Sequence, residues 1–282
     1  MRESAREQLR RLGVRPRKGL GQHFLVNEGA ADAIVASALE EDPDVVLEIG
    51  PGLGVLTRRL ARSGTPVVAI EKDRAMAAEL ARIADQHPNL ELRYGDILEA
   101  DLTELTAGRR CVAVGNIPYQ ITSPLLEKLL TCQPHFAAIV LMVQREVGER
   151  LAAEPATSDY GALTLLVRFY AGAPEVVAEL APGSFHPPPQ VHSVVLKFIP
   201  RDPPIEDRER RELLFAVVKA AFGQRRKQLP NALAGAPGLE IDKSQARQAL
   251  IRAGIATERR GETLSLEEFA ALTEAVEEVA GT

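Results

Sequence analysis

Three glycines, Gly50, Gly52 and Gly54, follow the apolar run VVLEI (45–49) in the stretch EIGPGLG. Glycines at a strand-to-helix turn let the backbone take positive φ and approach a ligand, and the helix amides beyond favour an anionic group. The spacing departs from the dinucleotide fingerprint, which wants a small residue where Val55 stands. Glu71 closes the next apolar run, where a carboxylate can accept both hydroxyls of a ribose. Asp96, in YGDI (94–97), follows the third run, where it can accept from an adenine amino group. Three such features at the ends of three successive strands point to a nucleoside cofactor. No Lys or Arg stands in the glycine loop, which speaks against a phosphate-rich one.

A fourth apolar run, CVAVG (111–115), leads into NIPY (116–119), which holds no acid, base or metal ligand. Read alone, it is a strand-end turn. The histidines, His23, His87, His135, His186 and His192, and the cysteines, Cys111 and Cys132, form no ligand spacing, so no metal is expected.

Positioning these residues requires a parallel sheet. The runs 45–49, 66–71, 89–94, 111–116 and 137–143 are nearly continuous in apolar character, as strands covered on both faces must be. Helical spacing separates them, with Asp73 and Ser123 as expected N-caps. PEVVAEL (174–180) and VHSVVLKFI (191–199) read as a closing antiparallel pair, and the Pro-rich APGSFHPPPQ between them as neither helix nor strand. RDPPIED (201–207) reads as a linker, after which the pattern is helical. The expected architecture is α/β, a doubly wound, mostly parallel sheet with a small C-terminal helical domain. Its domains are a basic arm (1–26) without helix caps before Asn27, a catalytic domain (27–200) and a helical domain (201–282).

Length and a hydrophobic fraction of 45% suit a globular protein with a large and a small core. Aromatics are sparse at 4%, so an exposed Tyr or Phe is a candidate for function. No apolar run is long enough to span a membrane, and the cysteine usage suits a reducing, cytoplasmic compartment. The net charge of −5 discourages a nucleic-acid partner, but its distribution restores one. Residues 1–24 carry seven Arg/Lys against Glu3 and Glu7, KAAFGQRRK (219–227) has no acid, and from Gly261 onward there is no cation. A bound polyanion senses charge within a Debye length, not the sum.

GLGQHFL (19–25), EIGPGLG, the Glu71/Asp96 pair, NIPY, SFHPPPQVHS (184–193) and FGQRRKQLPNAL (222–233) together resemble the KsgA/RsmA small-subunit rRNA adenine dimethyltransferases. These are class I methyltransferases with a Rossmann-like, seven-stranded sheet, and the resemblance covers almost the whole chain. It implies S-adenosylmethionine as cofactor, held by Gln22, His23 and Leu25 of the arm with Gly50, Gly52, Gly54, Glu71, Lys72, Asp96, Ile97 and Asn116. It also implies dimethylation of the N6 groups of two adjacent adenosines in a hairpin loop of small-subunit rRNA, in the immature 30S subunit.

The blandness of NIPY then fits the reaction. The adenine amino group is a weak nucleophile, its lone pair delocalised into the ring. The Asn116 side-chain oxygen and the Ile117 carbonyl can accept its two N–H bonds, Pro118 limits the backbone, and Tyr119 offers a ring face. Phe185 is expected on the other face of the base. Arg17 and Lys18 of the arm, with Arg225, Arg226 and Lys227, are expected to bind phosphates. Pro230 suits the first turn of a helix there. No self-association surface is legible, and a monomer is expected. The related erythromycin-resistance methyltransferases of large-subunit rRNA share an NIPY-like motif, and an assembly or transcription factor that has lost catalysis is a further alternative.

Overall fold

The computed structural model describes residues 3–17, 19, 21–132 and 136–280. Among the described residues nine strands run in chain order: β1 (Phe24–Leu25), β2 (Val45–Ile49), β3 (Val67–Glu71), β4 (Leu90–Tyr94), β5 (Cys111–Asn116), β6 (Ala138–Gln144), β7 (Glu175–Leu180), β8 (Phe185–His186) and β9 (Ser193–Phe198). Seven form one sheet, ordered β4-β3-β2-β5-β6-β9-β7, with β9 antiparallel to both β6 and β7 and the rest parallel. Every residue of β2 and β3 is buried, which is why their sequences read as unbroken apolar runs. Edge strand β4 instead alternates between buried or half-buried and exposed positions.

The chain builds outward from β2 in one direction through β3 and β4, then returns to β5 on the other side. The reversal opens a crevice at the carboxyl ends of β2 and β5. Parallel register sets Ile49 beside Gly115, so the residues that follow, Gly50 and Asn116, emerge side by side. Gly115 is needed for this approach: a Cβ there would lie 2.9 Å from the Ile49 carbonyl oxygen and 3.0 Å from Ile117 Cγ2.

The helices are α1 (Ala5–Arg11), α2 (Glu28–Leu39), α3 (Thr57–Arg62), α4 (Ala77–Ala84), α5 (Leu102–Thr106), α6 (Thr122–Thr131), α7 (Arg145–Ala152), α8 (Ala162–Tyr170), α9 (Arg208–Gly223), α10 (Leu229–Leu233), α11 (Lys243–Arg252) and α12 (Leu266–Ala280). Local details of the sequence reading need correction. The arm is not capless: Ser4 and Glu7 form a reciprocal capping box that starts α1. Asp73 caps as expected, accepting from Ala75 N at 3.0 Å, but α6 begins at Thr122 without a side-chain cap, which places Ser123 inside the helix. The Pro-rich segment contains a 3₁₀ turn (Pro182–Ser184) and the short strand β8, because the arm strand β1 supplies its antiparallel partner.

By contacts the chain divides into two units, 1–148 with 171–201, and 149–170 with 202–282. Residues 149–170, which the sequence reading placed in the 27–200 segment, group with 202–282. The physical reason is aromatic packing. Tyr160 meets Phe222 at 5.9 Å between ring centroids, Phe169 meets Phe215 at 5.4 Å, and Tyr170 stacks on Phe215 at 5.9 Å. Tyr160 also donates to the Leu264 carbonyl at 2.9 Å. Five of the chain's twelve Phe and Tyr rings are spent in this way on the core of the helical unit.

Candidate cofactor and base site

A cavity of about 280 Å³ opens in the crevice of the sheet unit. Its walls come from the turn after β2, the ends of β3 and β4, the turn after β5 and the arm segment that leads into β1. Of the residues expected at the cofactor, Gln22, His23, Leu25, Gly50, Gly52, Glu71, Lys72, Asp96, Ile97 and Asn116 all line it. Gly54 does not. It has a φ of +75° and packs so closely beneath the turn that a Cβ would collide with Ile83, so its requirement for glycine is steric. Gly50 and Gly52 take φ of +68° and +56°, and a Cβ on Gly52 would press on the Phe24 ring at 3.1 Å.

Glu71 is held from both sides. Its carboxylate accepts from Gly52 N at 2.9 Å and Asp73 N at 2.7 Å, which fixes it beside the glycine turn. Burial raises its pKa, partly opposed by these amides. Asp96 accepts from Lys72 Nζ at 2.5 Å and from Leu98 N at 3.0 Å. The Lys72 hydrogen bond holds the Asp96 carboxyl below the usual range and raises the lysine in return. Both acids therefore hold oxygens of fixed direction at the cavity wall.

The arm is tied across the same cavity. Gln22 Nε2 and Arg17 donate to the two oxygens of buried Asp73 at 2.8 and 3.1 Å. His23 Nδ1 lies 2.8 Å from the Pro187 carbonyl. Asn116 Nδ2 donates to the His23 carbonyl at 2.9 Å. That bond assigns the amide's nitrogen, and among the described residues no hydrogen bond reaches Asn116 Oδ1 or the Ile117 carbonyl. Tyr119 lines the cavity, its hydroxyl 3.1 Å from the buried Ser193 Oγ and its ring nearly parallel to His23, 6.2 Å between centroids.

Two residues sit elsewhere. Phe185 is 4% exposed and packs in the hydrophobic core of the sheet unit, paired with Leu25 in the β1–β8 ladder; it does not line the cavity. Lys18 lies outside the described residues. In the helical unit, Arg225, Arg226 and Lys227 form the turn between α9 and α10. Arg225 is occupied there, ion-paired with Glu262 at 3.0 Å and donating to the Tyr160 carbonyl at 3.1 Å. Arg226 and Lys227 are exposed. Pro230 is buried in the first turn of α10.

One cavity residue escaped the sequence reading. Glu48 is 1% exposed, lines the cavity floor, and neither carboxylate oxygen has a hydrogen-bond partner among the described residues. Burial pushes its pKa up to about 8. The signal was present in the sequence, a lone glutamate inside an apolar strand two positions before Gly50.

Comparison with known proteins gives a consistent result. The profile of a family described as "Ribosomal RNA adenine dimethylase" matches residues 13–277. A protein of Moorella thermoacetica named "Ribosomal RNA small subunit methyltransferase A" is 43% identical, over 94% of each chain. One of that name from Pelotomaculum thermopropionicum is 41% identical over 98% of this chain and 96% of its own. Among solved structures, a dimethyladenosine transferase from Plasmodium falciparum is 29% identical with a TM-score of 0.74, covering 89% of this chain and 96% of that one. The 23S rRNA methyltransferase ErmE is 26% identical with a TM-score of 0.65, covering 90% and 99%.

Proposed function

The chain belongs to the ribosomal RNA adenine dimethylase family, and we propose from that premise how its own residues carry out the reaction. The activity is S-adenosylmethionine-dependent dimethylation of adenine N6 groups in small-subunit (16S) rRNA. Near-full-length identity of about 40% to small-subunit enzymes, against 26% to a large-subunit one, favours this over the erythromycin-resistance reading. The finer substrate is two adjacent adenosines in a hairpin loop near the 3′ end, within the immature 30S subunit, modified by a monomer in the cytoplasm.

The single observation that carries the assignment is the β2–β5 register, which brings the glycine turn and Asn116 into one cavity with Glu71 and Asp96. The cavity suits the cofactor: Gly50 and Gly52 leave room that a Cβ would narrow, Glu71 can accept from ribose hydroxyls, and Asp96 from an adenine amino group. Glu48 supplies an unpaired carboxyl to the cationic methionine end. The cofactor contributes an electrophilic methyl group on a sulfonium.

Everything else is alignment. Asn116 Oδ1 and the Ile117 carbonyl accept the two N–H bonds of the target amine, which turns its lone pair toward the methyl group and stabilises the positive charge that develops on nitrogen. As the new N–C bond forms the S–CH3 bond breaks, S-adenosylhomocysteine is the leaving group, and the nitrogen, now acidic, gives a proton to water without a strong base. Tyr119, steadied by Ser193, gives the extruded base a stacking face. A stacking role for Phe185 is proposed for the RNA-bound state alone, since its ring is buried here. Arg17, Arg226 and Lys227, with Lys18, would bind phosphates.

The test is incubation with labelled S-adenosylmethionine and undermethylated small or large ribosomal subunits, followed by mass spectrometry of the 16S 3′ fragment. Dimethyladenosine in that fragment is expected. Label confined to the large subunit would overturn the reading.

A further inference from the structure

A second cavity of the sheet unit, of about 650 Å³, belongs to no part of the mechanism above. Arg58, Arg59 and Arg62 of α3, Arg82 of α4 and Arg6 of α1 line it, and the segment Phe185–His186 forms part of its wall. Beneath it lies Glu79, whose side chain is wholly buried. Three guanidinium groups converge on that one carboxylate: Arg11 at 2.6 Å, Arg82 at 2.8 Å, and Arg58. Burial alone would raise the Glu79 pKa, but the hydrogen bonds from Arg82 and Arg11 outweigh it and keep the group ionised.

Charge counting then favours an anion. Four ion-paired arginines, Arg11, Arg58, Arg59 and Arg82, meet four carboxylates, Glu79 and Asp32 with Glu3 and Glu28 of the groove wall, so the surplus positive charge is that of Arg6 and Arg62. Arg59 faces two of these carboxylates, Glu28 and Asp32, and Arg11 meets Glu3 at 3.0 Å as well as Glu79. Arg6 and Arg62 are exposed at the groove and have no ion-pair partner among the described residues. A concave surface with low-dielectric walls concentrates such a field. The groove also adjoins the cofactor cavity, since Leu25 and Val55 line both.

We propose that this groove binds the phosphodiester backbone of the RNA strand flanking the target adenosine, through Arg6 and Arg62 at the rim and Arg58 and Arg82 on the floor. It is a phosphate track on the sheet unit, additional to the Arg226–Lys227 turn, and it positions the strand without reading sequence. The inference rests on the assignment of RNA as substrate.

The rim residues allow a clean test because neither supports the fold through an ion pair. The variants are Arg6→Ala/Arg62→Ala and the charge reversal Arg6→Glu/Arg62→Glu. Affinity for a 16S 3′ hairpin is measured across salt concentration, with KM and kcat for methyl transfer, cofactor Kd and Tm alongside. The Ala pair should flatten the log–log salt slope by about 1.5, at roughly 0.7–0.9 per phosphate contact. KM for RNA should rise about tenfold with kcat, cofactor Kd and Tm unchanged, and charge reversal should be worse. A slope and KM equal to those of the unaltered protein in both variants would overturn the proposal. So would a defect seen on intact subunits and not on the hairpin, which would point to a ribosomal protein as the partner. If the unaltered protein transfers no methyl group to 16S rRNA, the functional assignment itself fails, a distinguishable result.

Discussion

The side chain of Asn116 donates a hydrogen bond to the backbone carbonyl of His23, 93 residues earlier, at 2.9 Å. This contact joins the end of β5 to the arm and settles which end of the amide is which. With the nitrogen committed to the arm, the oxygen is the end left to accept from an amino group. The base-holding geometry therefore depends on the arm being in place.

Replacing Asn116 with Ala removes both the acceptor and this tie. Methyl transfer should fall by a factor of about 10² or more, the scale of losing one preorganised transition-state partner. Affinity for the RNA hairpin should stay within about twofold. Activity equal to the unaltered protein, measured in single turnover, would refute the role.

Asp73 collects the other arm contacts, from Arg17 and Gln22, while capping the turn after β3. Asp73→Ala should lower stability by about 1–3 kcal/mol, the cost of unpairing buried donors. Gln22→Ala breaks one tie only. It should speed limited proteolysis within residues 1–22 and raise cofactor Kd several-fold; an unchanged cleavage rate would contradict the tether.

Glu48 makes stability depend on pH in an unusual direction for a carboxyl. Its folded pKa, about 8, lies above the unfolded value, so between roughly pH 4.5 and 8 the folded chain binds the extra proton. Stability from this group is thus fullest at low pH and declines as pH rises through that window. Glu48→Gln should stabilise the fold more at pH 8 than at pH 5, by on the order of a few kcal/mol, seen as a larger rise in Tm at pH 8. Cofactor binding that ionises Glu48 should release a proton below pH 8, so affinity should increase with pH up to that point and lose this dependence in the Gln variant. Calorimetry in buffers of different ionisation enthalpy reads the proton directly.

The basic turn of the helical unit divides into two roles. Arg226→Ala/Lys227→Ala should weaken RNA binding and flatten its salt slope with little effect on Tm. Arg225→Ala should chiefly lower Tm, because it unties Glu262 and the Tyr160 carbonyl. Identical phenotypes for the two variants would dissolve the distinction.

Gly115→Ala inserts a Cβ against the Ile49 carbonyl at the point where β2 and β5 must stay in close register. A cost of about 1–3 kcal/mol is expected from overpacking. Cofactor affinity should suffer with it, as Gly50 and Asn116 are displaced. Unaltered cofactor Kd in a folded variant would show that the register is not what sets the cavity.

The sequence by itself determined the strands, their order of appearance and the residues at their carboxyl ends. Buried parallel strands leave unbroken apolar runs, and the glycine turn, Glu71, Asp96 and NIPY stand at fixed offsets from them. Those signals are local, so they survive in one dimension. Other features depended on partners far along the chain. Phe185 reads as an exposed ring in a Pro-rich loop, yet the arm supplies a strand that buries it. Residues 149–170 read as part of the catalytic domain, yet their aromatic side chains find Phe215 and Phe222. Arg225 reads as a free cation until Glu262 is brought beside it. Glu48 reads as one more strand residue until packing takes its carboxyl out of water. Periodicity and turn chemistry record what a residue does to its own backbone; only tertiary packing decides what surrounds its side chain, and with it burial, charge balance and availability to a ligand.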